Sequence, residues 1–95
     1  MSYRLSARAE RDFVDIYLYG VEMFGARQAE RYAAELRAAF ELIASQPRMC
    51  RERSEFRPPL RIHVHAAHAL LYLIDGPDAV VVRILHRSRD LRRHV

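Results

Sequence analysis

The apolar residues of this chain change period once, and that change sets the fold class. From Ala9 to Ile43 they recur every three or four residues; from Leu60 to Val64 they alternate with polar ones. The first spacing paints a stripe on a helix, and the second paints one face of a strand. Helices come first and strands follow, so the chain reads as α+β: a helical hairpin packed on a small antiparallel sheet.

The punctuation agrees with the periods. Tyr3-Arg4-Leu5 fits a short strand. Ser6 suits a helix N-cap, with Glu10, Asp12 and Asp15 in the early turns, where the helix dipole favours acids. Ala9, Phe13, Ile16, Tyr17, Gly20 and Phe24 follow at helical spacing, and Gly25 suits the stop. A second helix starts near Ala26, with Ala29, Tyr32, Ala33, Leu36, Phe40 and Ile43 as its stripe, and ends at Gln46-Pro47. Two helices joined around one glycine must fold back on each other. Residues 48–59 are mostly charged and have no period, which marks a loop. Leu60 to His65 is then a strand with one wet face, and Ala66-Ala67 turn the chain. Ala69 to Ile74 is a continuous apolar run suited to a central strand. After the turn Asp75-Gly76-Pro77-Asp78 comes a third strand, Ala79 to Leu85. Ser88 suits the cap of a short helical turn over Arg89–Arg93. The predicted order is β-α-α-β-β-β in one domain over residues 1–95, with the first strand added to a sheet edge.

Charge divides the chain differently. All sixteen basic residues are arginine. Residues 1–47 hold six Arg against seven Asp/Glu, a net of −1; residues 48–95 hold ten against five, a net of +5. The five histidines also lie in the second half, so a negatively charged partner is to be sought there. No apolar run approaches a membrane span, and Met-Ser-Tyr-Arg-Leu-Ser has no apolar leader core, so a cytoplasmic location is expected. Cys50 stands alone, which excludes an internal disulfide.

Val80 to Asp90 carries the sharpest local signal. Arg83 interrupts an apolar strand, and His86, Arg87, Arg89 and Asp90 follow. Burying an unpaired guanidinium is costly, so Arg83 either pairs within the fold, with Asp75 or Asp90 as candidates, or faces a negative partner. A reaction on RNA is one possibility: Arg61 and Arg83 would steady a phosphate, and His86 would act as acid or base. His63-x-His65 sets two imidazoles on one strand face, where zinc requires at least three ligands, so neither a metal nor another cofactor is expected. No helix is basic along one face, so direct sequence-specific DNA binding is not expected either.

The same order of residues resembles the RelE/ParE superfamily of toxins from type II toxin–antitoxin pairs, and most closely its ParE branch. The likeness is carried by Tyr3-Arg4-Leu5-Ser6 with Ala9, Asp12, Asp15-Ile16 and Tyr19. Phe24-Gly25 with Gln28-Ala29, Tyr32 and Leu36 continues it, as do Leu42-Ile43-Ala44 with Pro47 and Leu60-Arg61 after the loop. His68 to Tyr72 and Val82-Arg83-Ile84-Leu85-His86 with Arg89-Asp90 complete it. The resemblance implies a toxin held inactive in a heteromeric complex with a cognate ParD-like antitoxin, with DNA gyrase as the target and replication as the process blocked. The antitoxin would meet Phe13, Tyr17, Arg61 and Arg83; the target would meet His86, Arg87, Arg89, Arg92 and Arg93. The other branch implies the alternative, a ribosome-dependent mRNA endoribonuclease using His86, Arg83 and Arg61.

Overall fold

The computed structural model describes residues 2–94. Strand β1 (Ser2–Leu5) leads into helix α1 (Ala7–Phe24) and helix α2 (Ala26–Ser45); strands β2 (Arg61–His65), β3 (His68–Asp75) and β4 (Asp78–His86) follow, and a 3₁₀ turn (Leu91–His94) closes the chain. The four strands form one sheet in the order β1-β4-β3-β2. The expected element order is therefore present, but the sheet is mixed: β1 lies parallel to β4, Ser2 opposite Asp78 and Leu5 opposite Val81. A three-residue stretch carries no signal for its partner or its direction, which the helical hairpin decides by where it returns the chain.

Ser6 caps α1 as its type predicts, accepting the Ala9 N–H at 3.0 Å. Gly25 is the entire link between the helices, with φ +91°, a region that a side chain disfavours. At the crossing, Gly20 lets α1 approach α2 closely: a Cβ there would stand 3.3 Å from that of Ala29.

The burial is lopsided. From α2, Ala29, Ala33, Leu36, Ala39, Phe40, Ile43 and Ala44 are buried; from α1, only Ala9 is. Leu36, Phe40 and Ile43 pack on Leu70, Tyr72, Val81 and Ile84 in one core between helices and sheet. Tyr72 is fully buried because its hydroxyl donates to the Pro47 carbonyl at 2.7 Å, and burial pushes its pKa up to about 12. The opposite sheet face holds a smaller cluster of Phe56, Leu60, Ala69, Leu71 and Leu85, with Leu91 of the 3₁₀ turn packed against it. Leu60 lies outside β2, pairing instead with Arg53 of the loop.

One irregularity positions the site. Leu71 stands opposite Arg83, but Tyr72 stands opposite Val81, so Val82 is an extra residue in β4. This bulge breaks strict alternation. Val81 and Ile84, three apart, both reach the helix-side core, Val82 joins the outer cluster, and Arg83 is left at the strand's edge.

Candidate functional site

Beyond Leu5 the β4 edge loses its partner strand, and α1 supplies replacements. The Ser6 N–H donates to the Val81 carbonyl at 2.9 Å, and its hydroxyl donates to the Val82 carbonyl at 2.8 Å. Six residues on, Asp12 accepts the Ile84 N–H at 2.9 Å through Oδ2. The same carboxylate takes both arms of Arg83, Nε to Oδ2 at 2.8 Å and Nη2 to Oδ1 at 3.2 Å. Arg83 therefore pairs inside the fold, as one of its two readings requires, but with Asp12. Asp75 instead pairs with Arg4 at 2.7 Å, and Asp90 is exposed in the segment after β4.

A groove of about 1170 Å³ opens between α1, α2 and the neighbouring ends of β3 and β4. Phe13, Tyr17, Arg83, His86 and Arg89 line it; Arg61, Arg87, Arg92 and Arg93 do not. Phe13 stacks on Phe40, ring centroids 6.0 Å apart, under the Arg37 guanidinium. The Tyr17 hydroxyl donates to Glu30 at 2.8 Å and ties the helices together; that bond to a carboxylate raises its pKa. At the lip, Tyr19 and Phe24 are 60% and 62% exposed, large apolar rings with nothing over them. Around them Arg8, Arg11, Arg31 and Arg89 make no ion pair among the described residues. Of the acids lining the groove, Asp12 is taken by Arg83 and Glu35 by His65, which leaves Asp15. The groove thus offers uncovered rings inside a positive rim, a surface complementary to an acidic, amphipathic segment.

Histidines gather at one end. His68 and His86 are direct neighbours across β3 and β4, with their rings edge to face at 5.7 Å. The Tyr32 hydroxyl lies 2.7 Å from His68 Nδ1, and His65 Nε2 lies 2.9 Å from Glu35. Burial, then the neighbouring His86 and His65, holds the His68 pKa below its ordinary value; burial does the same at His63. His86 Nδ1 accepts the Ser88 N–H at 3.2 Å, so Ser88 serves His86, and the last turn starts later than its expected span, at Leu91. Among the described residues, no three His, Cys, Asp or Glu side chains converge as a metal site requires.

Of the three side chains of a ribonuclease reading, Arg83 and His86 line the same groove and Arg61 does not. Arg61 stands opposite Tyr72, four residues along β3 from His68, or about 13 Å at the strand rise. Its guanidinium donates to the Cys50 carbonyl. Arg83 is engaged by Asp12, and His86 faces His68. Sequence reasoning assigned no site role to Asp12, Tyr32 or His68. Asp12 gave a signal as an acid near a helix start and His68 as the residue before an apolar run, and both were among the residues that carry the family likeness, but neither pointed to a site role.

Comparison with known proteins places this groove in context. A family model described as the ParE toxin of the type II toxin–antitoxin system, parDE, matches residues 3–91. A Caulobacter vibrioides protein named Toxin ParE1 is 37% identical over 93 residues, spanning 98% of this chain and 96% of that one. A Mycobacterium tuberculosis protein, also named Toxin ParE1, is 34% identical over 94 residues, with 98% and 96% covered. Among solved structures, a chain of a chromosomal ParDE system from P. aeruginosa superposes with a TM-score of 0.78 at 17% identity, covering 90% of this chain and 95% of that one. That last likeness speaks for the fold.

Proposed function

The chain belongs to the ParE family of type II toxin–antitoxin systems; from this premise we propose that it is a toxin acting by binding, with DNA gyrase as its target. The observation that carries the reading is family membership across residues 3–91, joined to the open groove with its arginine rim. In the neutralised state a cognate ParD-like antitoxin lays an acidic, amphipathic segment in the groove, covering Tyr19 and Phe24 and meeting Arg8, Arg11 and Arg31. Once that segment is lost, the toxin is free to dock. Its basic C-terminal segment, Arg87, Arg89, Arg92 and Arg93 beside His86, meets gyrase or the gyrase–DNA complex and stalls the cleaved intermediate, which blocks replication. No helix among the described residues is long and apolar enough to cross a membrane.

A ribonuclease would need acid, base and phosphate clamp around one phosphodiester; Arg61 lies outside the groove that Arg83 and His86 line, and Arg83 is engaged by Asp12, which weighs against that alternative. Purified chain added to a supercoiling reaction should abolish supercoiling and leave cleaved DNA, while a messenger RNA on ribosomes stays intact. Undiminished supercoiling with the free protein in excess would overturn the gyrase reading.

A further inference from the structure

Arg83 lines the groove on one side. On the other it lines a second cleft of about 560 Å³, with Ser6, Arg8, Val82, Arg93 and His94. Its guanidinium is the wall between them. Nε and Nη2 are held by Asp12, and Nη1 donates to the main-chain carbonyl of His94 in the closing 3₁₀ turn. The Arg83 and Asp12 side chains are only 13% and 14% exposed, so water competes little for the bonds between them, whereas the bond to the His94 carbonyl is exposed.

The C-terminal segment has few other anchors. Residues 86–90 are exposed, and so are Arg92 and Arg93. The Arg93 N–H donates to the Asp90 carbonyl at 3.1 Å, and Leu91 packs on the outer cluster. A single turn of this kind does not hold itself in water, since nucleating it fixes several dihedrals for one hydrogen bond. Repulsion among Arg87, Arg89, Arg92 and Arg93 works against it as well.

We propose that Arg83 is a positioning residue that clamps the C-terminal basic segment to the sheet, so that Arg92 and Arg93 are presented from a fixed turn. Asp12 sets the clamp by fixing the plane of the guanidinium. Three acceptors in three fixed directions are served by one planar fork, which a lysine cannot reproduce: its single ammonium would stay with Asp12 and leave His94 unheld. The β4 bulge supplies the aim. The attachment stands independently of the target; its effect on toxicity rests on the reading that this segment meets gyrase.

The full-length R83K variant tests the clamp by NMR relaxation and by supercoiling inhibition. In the wild type the backbone order parameter of residues 91–94 should be near 0.85, the rigid value. In R83K it should fall below about 0.6, with β3 and β4 unchanged, and half-inhibition should need about tenfold more protein (about 1.4 kcal/mol). D12N should release the segment in the same way, and it decides the matter if R83K does not fold. A segment that stays rigid in the folded variants overturns the clamp. A wild-type chain that leaves gyrase untouched overturns the target reading instead, while the order parameters still decide the attachment.

Discussion

At the scale of single residues, Asp12 does more than any other side chain. One carboxylate satisfies two arms of Arg83 and the Ile84 N–H. Replacing it by alanine strands a part-buried guanidinium and an edge donor, which should cost on the order of 3 kcal/mol. Urea unfolding of D12A checks this, and a loss below about 1 kcal/mol would refute the assignment. The need for a negative counterpart was legible in the sequence, because an arginine within Val80–Leu85 either pairs inside the fold or faces an acidic partner. The partner itself was not. It lies 71 residues away on another element, and the nearer acids Asp75 and Asp90 were natural candidates. Histidine gives a second prediction. In the folded state the pKa of His68 is held below its ordinary value, so as pH falls through that value the unfolded chain binds a proton that the native one refuses. Stability is full above the ordinary value and is lost as pH falls toward the folded one. The urea midpoint should therefore be lower at about pH 5.5 than at about pH 7.5, and H68Q should narrow the difference. Equal midpoints in the wild type would contradict the burial of this ring.

Among elements, the helical hairpin depends on Gly25. Its φ of +91° leaves alanine strained, and G25A should destabilise the fold by about 1–3 kcal/mol, read from thermal or urea melts. No change would mean that the link can adopt another path. The two helices and the meander were legible because their periods differ and their ends carry Ser, Gly and Pro. Two features were not. The parallel placement of β1 depends on where the hairpin delivers the chain, a tertiary fact. The bulge at Val82 defeats a strict two-residue count: Val81 and Ile84 share a core although alternation would part them. That same irregularity leaves Arg83 at the edge, so the feature hidden from the pattern is the one that builds the site.

For the whole molecule, charge and apolar surface meet in one groove, and binding there should show both. Antitoxin affinity should fall when salt rises from about 0.1 to 0.5 M, since the rim arginines are exposed and screened. The pair Y19S and F24S should weaken it by at least about tenfold, given about 1.5–3 kcal/mol for each buried ring. Calorimetric titration reads both; salt-independent binding would place the antitoxin elsewhere. The position of the groove was only half legible, because Phe13 and Tyr17 were visible as a helical stripe while the histidine end forms by strand register. One further point follows from α1, which buries Ala9 fully and Phe13 and Ile16 only in part. A helix so thinly seated is completed by whatever covers it. An antitoxin at a hundred times its dissociation constant adds about 2.7 kcal/mol to the fold it covers. Loss of the antitoxin would withdraw that support. The free chain should therefore be the less stable of the two forms, and melting it with and without the antitoxin would measure how much of its stability the partner lends.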